Sequence, residues 1–410
     1  MHPTMFEIPF LPDWLADVKS YGVMMTIAFL TGIWMACRRA IKSHGDPDVV
    51  LNMGFIALVC GIVGARIMYV IHYWDTRFAI QPSPIWAAFD IRAGGLEFLG
   101  GPILTIPVLM IYLKYIAKVS IRWYLDFSIP ALPWGLALTR IGCFLNGCCW
   151  GAVCIDEQSV ERDRASIPWA VRFPYGSPAM NQQFKFGQLS IPKELIVITP
   201  MGEAYPLPRE QIEEALAPEN EAGFDLFREY QAARQRLEEQ IKQGAQRDEI
   251  ETLRNQVATA LKKYSEVNPR AGPVFDQCDR FGLTPAELRV LADQYRSKPV
   301  HPAQLYAVIN GILLAGLLSL IFYYRRRHGV LLGVFLLIYP VSRFLLELIR
   351  QDNPLDYGGL TISQFLGLGV SLLGAVYMWY IYRLPEKCPR AVEFIPPEEV
   401  DERRSAGKNK

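Results

Sequence analysis

Charge is scarce in this chain, and histidine is scarcer still. The 410 residues include 42 lysines and arginines, 41 aspartates and glutamates and 5 histidines, which gives a formal net charge of +1. Proteins that bind nucleic-acid phosphates usually carry an excess of basic residues, so we expect no nucleic-acid partner. This near-zero net charge is an average over two kinds of segment, which are long apolar runs and one strongly charged stretch.

Cysteine occurs at 8 positions, but without the spacing of a structural zinc site. Cys143, Cys148, Cys149 and Cys154 follow the pattern Cys-x4-Cys-Cys-x4-Cys, which has no CxxC pair and no histidine nearby. We therefore expect no metal and no other cofactor. If the segment beyond Cys143 lies in an oxidising compartment, Cys154 with Cys278 is the disulfide that we predict.

The N-terminal stretch lacks the pattern of a removable signal peptide, which is a basic region, an apolar core and a small-residue cleavage site. The sequence has instead a series of apolar runs near the length of about 20 residues that crosses a bilayer. They occupy residues 21–37, 50–74, 95–116, 123–144, 303–324, 330–349 and 362–382. This pattern predicts an all-α polytopic membrane protein with seven transmembrane helices.

Basic residues in alternate loops give the orientation. Those after the first, third and fifth runs are Arg38, Arg39, Lys42, Lys114, Lys118, Arg122, Arg325, Arg326 and Arg327. The intervening loops, residues 75–92 and 351–361, contain no lysine. Because positive residues stay on the cytoplasmic side, we predict that the N-terminus lies outside and the C-terminus inside.

The long segment from 151 to 300 is then an extracytoplasmic head. Residues 208–266 within it are rich in charged residues, with apolar residues at helical spacing, which predicts a helical hairpin with breaks near Pro218 and Gly244. We interpret this hairpin as a solvated insert or a partner contact. The predicted divisions are helices 1–4 with the first part of the head (1–174), the helical insert (175–300), helices 5–7 (301–383) and a cytoplasmic polar tail (384–410).

Two arginines, Arg140 and Arg343, stand inside apolar runs. A charge at bilayer depth costs roughly 2.5–3.5 kcal/mol even on lenient scales, so each must face protein, water or an anionic partner. Glu347 follows Arg343 at the i, i+4 spacing of an ion pair, and Tyr339 precedes it by the same interval. Together they predict a polar stripe, which is either a satisfied interhelical network or a functional site.

Glycines accompany these charges. Gly100 and Gly101 lie in the glycine-rich start of the third run, and Gly151 follows the fourth. Irregular backbone at membrane depth is tolerated where it is buried in protein or lines a cavity. A forked guanidinium suits a phosphate, so the residues indicate a cavity for a phospholipid, in which arginines stabilise a leaving phosphate.

The order of motifs resembles that of the prolipoprotein diacylglyceryl transferase family. The motifs are Tyr21-Gly22, Gly64-Ala-Arg66-Ile-Met-Tyr69, Gly94-Gly95 through Gly100-Gly101, the stretch from Asp126 to Gly151, Pro168-Trp-Ala-Val-Arg-Phe-Pro174, His301-Pro-Ala-Gln304-Leu-Tyr306, the stretch from Tyr339 to Arg350, and Gln364. The resemblance covers the seven runs and is interrupted by the insert.

This resemblance implies an enzyme of the bacterial cytoplasmic (inner) membrane. It would move the diacylglyceryl group of phosphatidylglycerol to the lipobox cysteine thiol of a prolipoprotein, the first step of lipoprotein maturation. By position, the resemblance implies catalytic roles for Arg140, Arg343, Asn146 and Tyr339. It implies substrate-binding roles for Tyr21, Arg66, Asp126, Gly151, Glu347, Gly100 and Gly101.

Three positions depart from the family pattern. Leu99, Cys143 and Cys148 stand where the family has histidine, asparagine and glutamate. The departures leave two alternatives open. One is a lipid-binding or accessory membrane protein whose insert meets a periplasmic partner; the other is a thiol-based activity of Cys143, Cys148 and Cys149.

Overall fold

The chain forms helices throughout most of its length and divides into two compact units. The computed structural model describes residues 4–7, 17–79, 83–90, 94–154, 166–199, 202–220, 222–244, 246–264, 269–350 and 359–388. The membrane unit comprises Thr4–Gly142, Gln304–Ile349 and the described residues from 359 on, and the head unit comprises Cys143–Ala303. Beyond Cys388, the predicted cytoplasmic tail lies outside the described residues.

In chain order the α-helices are α1 (Ser20–Lys42), α2 (Pro47–His72), α3 (Pro84–Phe89), α4 (Gly100–Ile111), α5 (Ile121–Ser128), α6 (Ala131–Asn146), α7 (Pro178–Lys185), α8 (Arg209–Ala215), α9 (Gly223–Lys242), α10 (Arg247–Tyr264), α11 (Gly272–Phe281), α12 (Pro285–Gln294), α13 (Ala303–Tyr324), α14 (Val330–Glu347) and α15 (Ile362–Arg383). Strand β1 (Thr4–Glu7) pairs antiparallel with β2 (Asp17–Lys19), and β3 (Ile196–Ile198) with β4 (Ala204–Pro206). Short 3-10 turns lie at Lys193–Leu195, Pro218–Asn220 and Pro269–Ala271, and π turns at Trp74–Phe78 and Tyr112–Ile116.

Among the described residues, 6 helices are long and apolar enough to cross a membrane: α1, α2, the pair α5–α6, α13, α14 and α15. They coincide with six of the predicted runs, which confirms an all-α, multi-pass membrane protein. The third run is shorter than predicted, because the chain turns at Gly94 and Gly95 with φ of 77° and 85° and α4 begins at Gly100. Counted with its π turn to Ile116, this helix is about 25 Å long at 1.5 Å per residue. The seventh span therefore stays a prediction.

The membrane unit is held together by an aromatic and aliphatic core. Phe127, Leu113, Leu318 and Leu331 are at most 1% exposed and belong to one packed cluster. Many other apolar side chains of the long helices face outward, as Leu313 does at 68% exposure. A large exposed apolar surface of this kind is expected where lipid replaces water.

The head unit contains the predicted helical hairpin. Helices α9 and α10 are joined at Gly244, which has a φ of +74°, and Tyr230 stacks on Tyr264 with ring centroids 6.0 Å apart. The chain also breaks at the 3-10 turn Pro218–Asn220. Both predicted breaks are thus confirmed, because proline and a left-handed glycine each end a helix.

The predicted disulfide between Cys154 and Cys278 is wrong, since both residues are thiols in the structure. Cys278 lies on α11 and is completely buried in the core of the head beside Phe275. Cys154 lies outside this cluster, where its backbone N–H donates to the carbonyl of Pro299 at 2.8 Å. Sequence spacing does not reveal these different surroundings.

Candidate functional site

The candidate site is a cavity within the membrane unit, between three of its long helices. One face of each contributes side chains at helical spacing. The lining residues are Pro133, Leu136 and Arg140 of α6, Ala307, Asn310 and Gly311 of α13, and Tyr339, Arg343 and Leu346 of α14. The enclosed space between them is small, about 30 Å³, and it opens to one side.

Close packing of α6 against α13 forms one wall. A Cβ added at Gly311 would lie 2.8 Å from the carbonyl oxygen of Pro133 and 2.9 Å from Cβ of Ala137. A side chain larger than hydrogen would therefore separate the two helices. Small residues permit such approach in membrane helices, and here they bring Arg140 to the same cavity as residues of α13.

The second arginine is held by an acid on its own helix. Nη2 of Arg343 lies 2.8 Å from Oε2 of Glu347, whose side chain is completely buried. The hydroxyl of Thr361 donates to the other carboxylate oxygen, Oε1, at 3.5 Å. Thr361 is the N-cap of α15 and forms a capping box with Gln364. The predicted pairing of Arg343 with Glu347 is confirmed, and the start of α15 supports it.

Tyr339 and Arg343 line the same cavity, as the polar stripe predicts. The amide of Asn310 donates to the hydroxyl of Ser342 at 3.1 Å, and this hydroxyl donates to the carbonyl of Tyr339 at 2.9 Å. Asn310 was missed by the sequence analysis. Its signal is an amide side chain in the middle of the apolar run of α13, which requires a protein partner or a cavity at that depth.

Tyr21 lies near the end of α6 that carries Arg140. A Cβ at Gly142 would be 3.3 Å from both Cα and Cδ2 of Tyr21. Gly142 is two residues beyond Arg140, so the first turn of α1 packs beside the basic end of this helix. Tyr21 is not among the residues that line the cavity itself.

Arg66 is buried, with 8% of its surface exposed, and it donates hydrogen bonds to backbone. Its three guanidinium nitrogens share five acceptors at 2.7–3.0 Å, the carbonyl oxygens of Ala87, Ala88, Asp90, Gly94 and Gly95. Because every guanidinium nitrogen of Arg66 donates to a backbone carbonyl, this side chain holds the loop before α4 in place. The structure thus places this arginine on the protein backbone rather than in the cavity.

Gly100 and Gly101 allow α4 to pack against α2. A Cβ on Gly100 would collide with the backbone of Gly64, and one on Gly101 would lie 3.3 Å from the carbonyl oxygen of Gly61. The two helices therefore approach through paired glycines, a common means of membrane helix association. Neither Gly100 nor Gly101 lines the cavity described above.

Asp126 forms a buried ion pair at the start of the fourth span. Its Oδ2 accepts from Nε of Arg325 at 2.9 Å and from the backbone N–H of Gly329 at 2.8 Å. The side chain of Asp126 is 0% exposed and that of Arg325 is 9% exposed. Asp126 precedes Arg140 by 14 positions, about 21 Å along a helix, so the structure does not bring it to the cavity.

Leu99, which the family resemblance assigns to the position of a histidine, is an apolar residue at the surface. Leu99 is 45% exposed and directly precedes α4. Glu97 lies in the turn before the helix, where its Oε2 is 3.1 Å from Nδ1 of His72. An imidazole and a carboxylate are therefore paired two residues from Leu99, although neither lines the cavity.

The remaining predicted site residues, Asn146 and Gly151, belong to the head unit. Asn146 is the last residue of α6. The backbone N–H of Gly151 donates to the carbonyl of His301 at 2.9 Å, and this bond fixes the loop that follows α6. Arg140, Tyr339 and Arg343 are thus the predicted residues that the structure gathers in one cavity.

Together, these features define a multi-pass membrane protein with a cavity lined by two arginines and a tyrosine within its helices. Such a site suits an anionic group attached to an apolar body. The chain belongs to the prolipoprotein diacylglyceryl transferase family: the family model matches residues 5–210 and 246–380. The interruption lies inside the predicted insert and contains α9.

Two curated relatives match most of the chain at low identity, and a third matches part of it at higher identity. The phosphatidylglycerol–prolipoprotein diacylglyceryl transferase of Proteus mirabilis is 23% identical over 397 residues, which cover 95% of this chain and 94% of the relative. That of Erwinia tasmaniensis is 24% identical over 368 residues, 88% of each chain. The enzyme of Pseudoalteromonas translucida is 35% identical over 164 residues, 40% of this chain and 56% of the relative.

Proposed function

We propose that this protein transfers the diacylglyceryl group of phosphatidylglycerol to the lipobox cysteine thiol of prolipoproteins in the bacterial inner membrane. The observation that carries the proposal is the meeting of Arg140 and Arg343 in one cavity of the membrane unit. Family membership supports it, as do the names of relatives that match along most of the chain.

The positive charges that line the cavity suit the negative charge that develops during this reaction. The thiol sulfur forms a bond to the glycerol carbon while the bond from that carbon to a phosphate oxygen breaks. Glycerol phosphate leaves with the electron pair, and the thiol proton passes to the phosphate or to solvent. Charge grows on the phosphate as it leaves, and two guanidiniums at this point would stabilise the transition state more than the substrate.

Each predicted site residue has a place in this proposal. Arg140 and Arg343 hold the phosphate, Tyr339 orients the glycerol headgroup, and Glu347 fixes Arg343. For Asn146, Tyr21 and Gly151 the family resemblance implies roles in catalysis or substrate binding. Arg66, Asp126, Gly100 and Gly101 act as positioning residues, because their contacts are with protein.

The proposed topology has seven spans, of which α4 with its π turn is the third. The N-terminus and the head unit face the periplasm and the C-terminus faces the cytoplasm, as the basic loops favour. In this arrangement the hairpin α9–α10 is available to a periplasmic partner, such as the incoming prolipoprotein. Reporter fusions after residues 118, 244 and 388 test the orientation, and periplasmic activity at 118 or 388 would contradict it.

Complementation tests the function. The chain is expressed in bacteria depleted of their own transferase, and a reporter lipoprotein is examined for the diacylglyceryl modification. We expect modification with the wild type, loss with Arg140→Ala or Arg343→Ala, and retention with Arg326→Ala, an exposed arginine outside the cavity. Absence of modification from stably inserted wild-type protein would contradict the proposal.

A lipid-binding protein without transfer activity is the second candidate. Leu99 favours it, because an exposed apolar side chain at the family histidine position cannot exchange a proton. In that case purified protein would bind phosphatidylglycerol, and Arg140→Ala would weaken the binding. No thioether would form with a lipobox peptide at any enzyme concentration.

A further inference from the structure

The turn that ends α6 brings three cysteines together. Gly147 adopts a φ of +75°, and the N–H of Cys148 then donates to the carbonyl of Cys143 at 3.1 Å, while the N–H of Gly147 donates to that of Phe144 at 3.3 Å. These are the two bonds of a Schellman motif. In this motif the side chain after the glycine contacts the side chain five residues earlier, so Cys148 folds back onto Cys143.

The third cysteine is held there by an unusual backbone conformation. Cys149 has a φ of +61°, a left-handed conformation that residues other than glycine and asparagine rarely adopt. The three sulfur atoms all lie within 4.8 Å of one another. Residues held in such a conformation are concentrated at functional sites, because the surrounding structure must enforce it.

The surrounding head structure fixes this loop. Trp150 is 8% exposed and packs in a small core with Phe173 and Val300. The N–H of Gly151 is bonded to the carbonyl of His301. The loop is therefore anchored directly after the third cysteine, which keeps the sulfur atoms near one another before any ligand binds.

We propose that Cys143, Cys148 and Cys149 form a binding site for one soft, thiophilic metal ion of the Cu(I) or Zn(II) type. Thiolate sulfur is the ligand that these ions prefer. Three sulfurs bound to one ion at about 2.3 Å lie about 4.0 Å apart in a trigonal arrangement. The observed cluster needs a contraction of less than about 1 Å, within the reach of side-chain rotation.

Binding of the metal ion would release the protons of the cysteine thiols. Three thiols and one Zn(II) give a complex of net charge −1 with release of three protons, and Cu(I) gives −2 with the same release. Cys143 is buried, whereas Cys148 and Cys149 are half-buried, so an ion can reach the sulfurs from solvent. For zinc a fourth position stays open to water or a substrate thiol.

The test uses the full-length protein in detergent, reduced and handled without oxygen. Zn(II) is titrated directly, and Cu(I) is supplied from a chelator of known affinity. We expect one ion per chain, three protons released, and three sulfur neighbours by X-ray absorption spectroscopy. The variant C143S/C148S/C149S should bind at least 100-fold more weakly, and the matched control C37S/C60S/C388S should bind as the wild type does.

Three outcomes would overturn the proposal. These are equal binding by the cluster variant and the wild type, no binding of either ion by reduced wild type, and a disulfide between two cluster cysteines in protein taken directly from membranes. If the cluster variant does not fold, the absorption spectrum of the wild type decides: fewer than three sulfur neighbours contradicts the site. Cys149→Ser alone should leave two sulfur neighbours and weaken binding about tenfold.

Discussion

Arg343 and Glu347 form an ion pair one turn apart on α14, with 2.8 Å between Nη2 and Oε2. Glu347 is completely buried, whereas 20% of the Arg343 side chain is exposed and Arg343 lines the cavity. The carboxylate therefore holds on one side a guanidinium that has five N–H donors and that lines the cavity. The ion pair thus holds a charged Arg343 in the membrane unit, while part of its side chain stays exposed.

Glu347→Ala should destabilise the protein and impair lipid binding. Removing one member of a buried pair costs roughly 3–5 kcal/mol, and we expect about 1–3 kcal/mol here because Arg343 is partly exposed. Thermal unfolding in detergent measures the effect. In a double-mutant cycle with Arg343→Ala the two losses should be less than additive; full additivity would mean that the pair has no energetic role.

The glycine contact between α2 and α4 gives a prediction with an internal control. Gly64→Ala places a Cβ against the backbone of Gly100 and 2.9 Å from Cβ of Leu104, whereas a Cβ at Gly61 meets no heavy atom within 4 Å. We expect Gly64→Ala to cost about 1–3 kcal/mol through overpacking and Gly61→Ala to be tolerated. Yield and thermal midpoint of the two variants compare them directly, and equal behaviour would contradict the packing.

Asp126→Asn separates a structural role from a binding role. The change leaves Arg325 buried without its carboxylate, which should cost on the order of 3 kcal/mol in stability. Because Asp126 does not line the cavity, the KM for phosphatidylglycerol of the folded fraction should stay within about twofold of the wild type. A raised KM with unchanged stability would instead assign Asp126 to the lipid site.

His328 should make the protein sensitive to mild acid. Burial, with repulsion from Arg325, Arg122 and Lys387, lowers its pKa to about 4 from the usual 6.5. Between pH 6.5 and 4 the unfolded chain therefore binds a proton at His328 that the folded chain does not bind. The contribution of neutral His328 to the free energy of unfolding is complete above pH 6.5. It is lost progressively as the pH falls from 6.5 toward 4.

The measurement is the thermal midpoint between pH 7.5 and 5. We expect His328→Gln to reduce the loss on acidification by about 1–2 kcal/mol, a figure discounted because His328 is half-buried. His328 stacks on Trp123 with centroids 5.8 Å apart, so the variant should also be less stable at neutral pH. Identical acid sensitivity of the two proteins would contradict a neutral, buried imidazole.

Local pattern was sufficient for much of this fold. The length of the apolar runs predicted the long membrane helices, helical periodicity predicted the hairpin α9–α10, and i, i+4 spacing predicted the pair of Arg343 and Glu347. These features depend on residues close in sequence or on apolar length alone. The shortened third helix was not predicted, because hydropathy does not show that two left-handed glycines delay its start to Gly100.

Features that depend on tertiary contacts could not be predicted from the sequence. Arg66 resembles a ligand-binding arginine until its backbone acceptors are known, and backbone carbonyls have no sequence signature. Asn310 lines the cavity through helix packing that a single glycine permits. The three cysteines around Gly147 have no recognised metal-site spacing, since a left-handed turn rather than a CxxC hairpin brings their sulfurs together.

The transfer reaction itself, measured with purified protein, tests the central claim most directly. Phosphatidylglycerol with a labelled diacylglyceryl group is mixed with a lipobox peptide, and the thioether product is followed by mass spectrometry. We expect transfer by the wild type and by Arg326→Ala, and a loss of about 10²–10³ in kcat for Arg140→Ala and for Arg343→Ala, as when a charge-stabilising donor is removed. Wild-type rates in both cavity variants, or no product from folded wild-type protein that binds the lipid, would contradict the account.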